Sequence, residues 1–348
     1  MAVASDRKEQ AAALEENGAG LVGPRLRYRR WRFPEELGVL AALALLVTVV
    51  GVHNSAFIQP QNLLNLVASN SFFGMIALAS VFLLALGEID LSVGWNFNYS
   101  AVMAAIAMTH GVDPWLAAGL GVLFGAFLGL VNGVLTTALR LPVIIVTLGT
   151  YSAFHGLSLV QNKSSAVVPP DVNGSFFRTV QYDVGKVPVL AIVFVALAVV
   201  LQVVLQRTRF GFRVQAIGSN PEAARLAGIP LARTRILVLV LVGAVCGFSG
   251  ALSVGQFGAI DTNSGSEFLL TVVAAVIIGG TPLSGGSGTV IGALFGALII
   301  ATIASGIVFF GIDATWSTFV TGAVIILAVA VDQGVKWQRQ RRAERRLE

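Results

Sequence analysis

The sequence predicts an all-α membrane protein, a polytopic helical bundle of about ten transmembrane helices with two internal glycine-rich breaks. Of its 348 residues, 55% are hydrophobic and only 12% are charged, whereas about a quarter of the residues in a soluble domain are charged. The apolar residues gather in segments close to the 20 or so residues that a helix needs to cross a bilayer core of about 30 Å. Composition and segment length together therefore place most of the chain against lipid.

Ten apolar segments fit the length of a membrane span. The segment at 268–280 is short, and the segment at 91–109 carries Asn96, Asn98 and Tyr99, so these two are the weakest predictions. The ten predicted spans are 37–57, 63–87, 91–109, 115–138, 142–161, 187–206, 236–256, 268–280, 289–311 and 315–332.

The positions of Lys and Arg predict the orientation of these spans. Nineteen of the 23 basic residues fall in a tail at 1–36, a loop at 207–235 and a tail at 333–348. An excess of Lys and Arg marks the cytoplasmic side of a membrane protein, and ten spans put all three regions on one side. We expect a cytoplasmic N-terminal tail (1–36), a transmembrane domain (37–332) and a basic cytoplasmic C-terminal tail (333–348) in a bacterial inner membrane. Arginine clusters beside spans are attracted to anionic lipid, so the lipid bilayer is the expected partner and nucleic acid is not.

Several catalytic and cofactor classes lack their sequence signals. The single cysteine, Cys246, excludes a disulfide framework and a cysteine zinc site. The three histidines, His53, His110 and His155, show no paired spacing that would indicate a metal site. No phosphate-binding loop or dinucleotide fingerprint occurs. We therefore predict no catalytic residues, no metal and no cofactor in this chain.

The loop at 207–235 contains a short helix with signals at both ends. Asn220 is placed to cap its first turn, Pro221 takes the first helical position, and Glu222 complements the positive end of the helix dipole. Gly228 suits the left-handed residue that ends a helix. The small side chains within it are Ala223, Ala224 and Ala227. These alanines would let another protein approach closely, and a surface linker helix is the alternative interpretation.

Two glycine-bounded segments interrupt the apolar runs and define the two breaks. When Gly87 is aligned with Gly279, Ser92 falls opposite Ser284. Corresponding interruptions in two halves of a membrane protein point to a translocation site at a repeat interface. The residues predicted to form the breaks are Gly87, Glu88, Asp90, Ser92, Gly94, Gly279, Gly280, Ser284 and Gly286. The first break is either at membrane depth or a solvated cytoplasmic turn, and Asp90 is interpreted as a cap on the helix that follows it.

Polar and aromatic side chains inside the spans are candidates to contact a hydroxylated solute. One group clusters on the third span, and another recurs every four residues along one face of the fifth. For His155, packing between helices is the alternative role. The predicted pathway residues are Asn70, Asn96, Asn98, Tyr99, Thr147, Tyr151 and His155.

The sequence of the loop helix resembles the cytoplasmic signature of ABC importer permeases. Residues 222–228 match the pattern Glu-Ala-Ala-x-x-x-Gly, and residues 216–220, which lead into it, are similar to the ribose-type sugar permease branch. The later Ile-x-Leu-Pro of the general importer signature is missing. The assignment to the sugar branch therefore depends on the branch-specific residues.

Further segments extend this resemblance. Residues 87–94 resemble the branch's Gly-Gly-Ile-Asp-Leu-Ser-Val-Gly, with Glu88 in place of the second glycine. Residues 279–288 resemble its late Gly-Gly-x-x-Leu-x-Gly-Gly-x-Gly, and residues 141–150 are also similar to the family. With the hydropathy profile, the resemblance covers residues 60–332.

The resemblance implies the membrane-spanning subunit of a binding-protein-dependent importer that translocates a monosaccharide or related polyol by alternating access. It implies a separate ABC ATPase subunit that binds ATP and Mg²⁺, an extracytoplasmic solute-binding protein, and a second permease copy in a homodimer or a pair of paralogues. In that family the loop helix docks on the ATPase. The coupling residues it implies are Asn220, Glu222, Ala223, Ala224, Arg225 and Gly228.

Other functions fit parts of the same pattern. An ion-gradient-driven secondary transporter also uses repeats and broken helices, but it needs carboxylates inside the spans. Here Asp261 and Glu267 fall in a predicted outer loop, and the remaining candidates are confined to residues 87–94. A passive channel would need a repeated filter motif, which the spans lack. Within the importer family, a nucleoside, an autoinducer furanose or a branched-chain amino acid is an alternative solute.

Overall fold

The computed structural model describes residues 35–324 together with residues 326, 327 and 330, and most of them are helical. The predicted tail at 333–348 and nearly all of the tail at 1–36 lie outside the described residues. The named helices are α1 (Glu35–His53), α2 (Pro60–Ala85), α3 (Val93–Thr109), α4 (Pro114–Leu139), α5 (Val143–Gln161), α6 (Ser175–Val180), α7 (Val189–Arg207), α8 (Arg209–Ser219), α9 (Pro221–Leu226), α10 (Leu231–Phe257), α11 (Phe268–Ile278) and α12 (Val290–Phe309). A short antiparallel pair joins β1 (Asp183–Val184) to β2 (Val187–Pro188).

The predicted spans correspond to helices. Seven described helices, α1, α2, α4, α5, α7, α10 and α12, are long and apolar enough to cross a membrane. The two weak predictions are the short helices α3, with 17 residues, and α11, with 11 residues. Both are short because each adjoins one of the glycine-rich breaks. The tenth span is described only in part, and residues 316–324 within it are helical.

Two connecting regions contain more structure than the sequence predicts. The connection between α5 and α7 folds into α6 and the β1–β2 pair, and Phe176 and Phe177 of α6 are buried. The loop at 207–235 holds two helices, α8 and α9, where only one is predicted. Helix α8 begins where Thr208 Oγ1 accepts a hydrogen bond from the amide of Gly211 at 3.2 Å. Helix α8 buries one face, which includes Val214 and Ile217, against the rest of the protein.

Helices α4 and α10 pack through glycines, which lets their backbones meet. A Cβ atom added at Gly125 or at Gly243 would overlap the carbonyl oxygen of the other, and one added at Gly129 would overlap the carbonyl oxygen of Leu239. Small residues spaced by four produce this close approach in membrane helices. The glycines of α4 at this spacing are Gly121, Gly125, Gly129 and Gly133. The backbones of α4 and α10 are therefore in direct contact.

Helix α2 lies at the centre of the bundle. Every residue from 71 to 85 is buried, because α7, α10, α11 and α12 all pack around it. Its carboxyl end leads directly into the first break. The last turn of α2 is therefore buried, whereas Gly87, the first residue of the break, is exposed.

Candidate coupling and translocation site

Helix α9 has the caps that its sequence predicts. Asn220 Oδ1 accepts a hydrogen bond from the amide of Ala223 at 3.0 Å, and Pro221 occupies the first helical position. At the other end Gly228 has a φ of +78°, the left-handed conformation that ends helices. Ala224 alone of its residues is buried, at 4% exposure. The helix is therefore held by one small side chain and presents the rest to solvent.

Helices α8 and α9 expose five residues that we name the coupling surface: Phe212, Glu222, Ala223, Arg225 and Leu226. Leu226 is 81% exposed and Phe212 is 69% exposed. Glu222 and Arg225 are 3.9 Å apart on the surface. Sequence analysis missed the two apolar residues, although apolar anchors in a charged rim are typical of protein interfaces. Both apolar residues are left uncovered by the rest of the described chain.

The carboxyl end of α8 packs against both breaks at one point, which we name the break junction. A Cβ atom at Gly218 would overlap the carbonyl oxygen of Ala85 and lie 2.6 Å from the amide nitrogen of Gly286. The Gly286 amide donates to the Ala85 carbonyl at 2.9 Å, and Ser219 Oγ donates to the Gly286 carbonyl at 3.2 Å. A Cβ atom at Gly285 would lie 2.7 Å from the Gly87 nitrogen. The coupling loop and the two breaks therefore meet backbone to backbone.

An ion pair makes a second attachment on the other side of α9. Arg235, in the second turn of α10, donates from Nε to Glu88 Oε1 at 2.6 Å. The Arg235 side chain is 34% exposed and that of Glu88 is 17% exposed. Glu88 stands where the resembled family pattern has glycine, so this contact comes from a departure from the pattern. The segment before α9 thus contacts the second break and the end of α2, and the segment after α9 contacts the first break.

The first break goes deeper than a surface turn. Asp90 is 5% exposed, and its Oδ1 accepts hydrogen bonds from the amide of Ser92 at 2.7 Å and from its hydroxyl at 2.6 Å. Asn132 Nδ2 donates to Ser92 Oγ at 2.8 Å. Since Asn132 lies about two helical turns before the end of α4, Ser92 is about 10 Å inside that end. Ser92 is the N-cap residue of α3 and makes no side-chain cap to it. Asp90 therefore holds the residue at which α3 begins, and the residues from 90 to 92 are not a solvated turn.

The second break differs from the first although their sequences align. Gly279 packs against the backbone of Gly292, and Gly280 has a φ of +90°. The start of α12 is held by Gln202 Oε1, which accepts from the Val290 amide at 2.8 Å. Ser284 is exposed, whereas its aligned counterpart in the first break is buried. Both breaks interrupt a helix, but aligned residues in the two breaks differ in burial.

The predicted asparagines of α3 hold helices together. Asn96 Nδ2 donates to the Gly125 carbonyl at 3.3 Å, and Asn98 Nδ2 donates to the Asp261 carbonyl at 2.9 Å. Ser158 Oγ donates to Asn98 Oδ1 at 2.7 Å. Both asparagines are at most 1% exposed. These amides are committed to protein partners in this conformation.

Two other predicted residues also make local contacts. Asn70 donates to the Leu66 carbonyl of its own helix, α2, at 2.8 Å. Thr147 Oγ1 accepts from the Leu91 amide at 3.1 Å, which fixes the first break against α5. Neither Asn70 nor Thr147 belongs to the cluster of aromatic residues from α3 and α5.

An aromatic cluster between α3, α4 and α5 brings the other predicted residues together. Trp95 stacks on His155 with ring centroids 3.6 Å apart, and Tyr151 meets Trp95 edge to face at 5.9 Å. Tyr99 meets Phe124 edge to face at 4.9 Å. Within the described part of the chain, Trp95 Nε1 and His155 Nε2 are buried without hydrogen-bond partners. The cluster thus combines stacked aromatic rings with two buried ring nitrogens that have no partner among the described residues.

Trp95 was missed by the sequence analysis. The sequence does place Trp95 one turn before Tyr99, a predicted pathway residue, on the same face of α3. As a large apolar side chain it was not distinguishable from a lipid-facing residue without knowledge of which helix packs against it.

Comparisons with known proteins agree with this architecture. Residues 62–329 match the family described as "Branched-chain amino acid transport system / permease component". The chain is 37% identical over 299 residues to the ribose import permease protein of Bacillus subtilis (strain 168), covering 86% of this chain and 93% of that protein. It is 33% identical over 329 residues to the L-arabinose ABC transporter permease protein of Azospirillum brasilense, covering 92% and 94%. It is 31% identical over 324 residues to the galactose/methyl galactoside import permease protein of Escherichia coli (strain K12), covering 88% and 96%.

A solved structure shares the fold. It is an ABC transporter of the metal-chelate type in an inward-facing conformation, which matches with a TM-score of 0.51 and 17% identity over 85% of this chain and 99% of that one. The family match spans most of the transmembrane domain and includes both breaks and the coupling loop. The predicted family is thereby confirmed, and the chain belongs to this family of ABC import permeases, as a multi-pass inner-membrane transport subunit and not an enzyme.

Proposed function

We propose that this permease imports a monosaccharide or related polyol by alternating access, driven through α9 by a separate ATPase. The observation that carries the proposal is the attachment of the coupling loop to both breaks, through the break junction and the Glu88–Arg235 ion pair. The names of the ribose, arabinose and galactose relatives support a sugar as the solute.

In the proposed complex, three other components join this chain. An ABC ATPase subunit binds ATP and Mg²⁺ and receives the coupling surface, while this chain holds no cofactor of its own. An extracytoplasmic solute-binding protein delivers the sugar. A second permease copy, identical or paralogous, completes the pathway, and both termini are cytoplasmic. The exposed anchors Leu226 and Phe212 support a protein partner on the coupling side.

The proposed transmission runs from α9 into α3. When the ATPase dimer closes, it displaces α9, and with it Ser219 on one side and Arg235 on the other. Both of these contact the break regions directly. Because Asp90 and Ser92 tie the first break to the start of α3, movement of the break shifts α3 and its aromatic residues. The pathway then opens towards the binding protein.

The proposed solute contacts are the aromatic residues Trp95, Tyr99, Tyr151 and His155. Sugar rings pack their C–H faces on aromatic side chains, and their hydroxyls can pair with the free nitrogens of Trp95 and His155. Asn96 and Asn98 are proposed to shape this region rather than to contact the solute in the present conformation. They become available to solute only if α3 separates from α4 and from the outer loop.

Reconstituted transport tests the proposal. The permease is placed in proteoliposomes with its ATPase and binding protein, and ATP-driven uptake of labelled ribose is compared for wild type, Leu226→Asn and the control Gln206→Ala. Leu226 is 81% exposed, so the replacement leaves folding intact while removing an interface anchor worth about 1–2 kcal/mol. We expect at least fivefold lower uptake and weaker ATPase copurification for Leu226→Asn only. Equal uptake in all three would contradict a coupling role for α9.

A further inference from the structure

A cavity with cationic lining lies beside the coupling loop, where α4 turns into α5 and α10 begins. Its volume is about 420 Å³. The lining residues are Thr136, Thr137, Arg140, Leu141, Pro142, Leu231, Ala232 and Arg235. Two of these are arginines and none is acidic. The cavity is separate from the aromatic cluster and from the coupling surface.

Two threonines that line this cavity have hydroxyl groups without a hydrogen-bond partner among the described residues. Thr136 is fully buried, with 0% exposure, and its Oγ1 has no hydrogen-bond partner. Thr137 Oγ1 is likewise buried and unpaired among the described residues. A buried hydroxyl without a hydrogen-bond partner destabilises the folded protein. A ligand that accepts hydrogen bonds would remove that destabilisation.

The charged donors are also incompletely used. Arg235 contacts Glu88 through Nε and Nη2, which leaves Nη1. Arg140 makes no salt bridge with any carboxylate in the described ranges, and it closes α4 in the left-handed conformation with a φ of +55°. Arg140 lines the cavity together with Leu141 and Pro142, which lead into α5.

The amino end of α5 adds a third source of positive potential. Pro142 is its N-cap residue, and the helix runs for 19 residues. Amides in the first turn of a helix have no acceptor within the helix, and the dipole makes this end attractive to anions. Arginine pairs, hydroxyls and a helix amino end together form the donor set that binds phosphate groups.

From this arrangement we propose a phosphate-binding site in the cavity, formed by Arg140, Arg235, Thr136 and the start of α5. The ligand is a phosphate group, carried either by an anionic lipid or by a free phosphate. The exposed apolar side chains of Leu139 and Ile144 next to it, 59% and 47% exposed, place the site at the edge of the lipid phase. Since Leu231 and Arg235 follow α9 directly, a bound phosphate would join the α4–α5 corner to the coupling segment. This site goes beyond the proposed function, because it does not depend on the solute or on the ATPase.

Binding to the purified full-length permease tests the site in two arms. In one arm, native mass spectrometry measures retention of phosphatidylglycerol, with diacylglycerol, which lacks phosphate, as the matched lipid. In the other arm, calorimetry measures binding of inorganic phosphate. Both arms compare wild type with Arg140→Gln, Thr136→Val and the control Arg207→Gln, an exposed arginine on the same side of the protein.

Binding in either arm that falls at least tenfold in Arg140→Gln and Thr136→Val, but not in Arg207→Gln, supports the site and identifies its phosphate source. Thermal unfolding without phosphate supplies an independent readout. Thr136→Val removes an unpaired hydroxyl, so we expect its melting temperature to equal or exceed that of wild type. Equal binding by all variants, or no phosphate-dependent binding by wild type in either arm, overturns the proposal.

Discussion

Breaking the Glu88–Arg235 ion pair from each side should have unequal costs. Replacing Arg235 with Gln leaves the Glu88 carboxylate, which is 17% exposed and has Oε2 unpaired among the described residues, without its cation. We expect a loss of about 2–3 kcal/mol, because the pair is less buried than those whose disruption costs about 3–5 kcal/mol. Replacing Glu88 with Gln leaves Arg235 34% exposed, so water can solvate it, and we expect a loss of about 1 kcal/mol.

A double-mutant cycle with thermal unfolding in detergent measures both the asymmetry and the coupling energy. The cycle compares wild type, the two single variants and Glu88→Gln/Arg235→Gln, and we expect a coupling energy of about 1–2 kcal/mol. ATP-driven uptake measured on the same variants should fall more than the stability loss explains, since the pair attaches the coupling segment to the first break. Additive single effects, within about 0.5 kcal/mol, together with normal uptake, would refute this reasoning.

The glycine contacts and the aromatic cluster give three further predictions. Gly125→Ala should lower the free energy of unfolding by about 1–3 kcal/mol, because the added Cβ atom would overlap α10. Gly119→Ala, on the same helix with no atom within 4 Å of the added Cβ, should leave stability unchanged, and equal effects of the two variants in thermal unfolding would contradict the packing. Gly218→Ala should separate α8 from the break junction and reduce ATP-driven uptake at least fivefold with ATPase copurification retained; uptake equal to that of Gly119→Ala would refute it. Tyr151→Ala should reduce sugar uptake about tenfold with little change in stability, whereas Asn96→Ala should lower stability by about 1–2 kcal/mol through its lost hydrogen bonds; unchanged transport by Tyr151→Ala would remove it from the pathway.

Local signals in the sequence predict much of this structure. The Asn220 and Gly228 caps of α9 depend on residues only a few positions apart, so they can be identified without knowledge of the fold. The breaks are also local, because glycines with positive φ, such as Gly87 and Gly280, end helices wherever they occur. The same holds for most spans, whose length and polarity are set by the bilayer.

Long-range contacts could not be predicted in this way. Glu88 and Arg235 are 147 positions apart, and Asn98 donates to a carbonyl 163 positions away. A polar residue within a span indicates that it faces protein, but not whether its partner is a solute or another backbone. For that reason the sequence groups Asn96 and Asn98 with Tyr151, although the asparagines bond backbone carbonyls and Tyr151 packs on Trp95.

The central claim is that transport of a sugar through this chain is powered by an ATPase acting on α9. The most direct test is uptake of labelled ribose by proteoliposomes containing the permease, its ATPase and its binding protein, with either ATP or an ion gradient as the only energy source. The account predicts uptake with ATP that persists in the presence of an uncoupler and is lost without the ATPase. Uptake that proceeds on an ion gradient alone and stops with the uncoupler would contradict it.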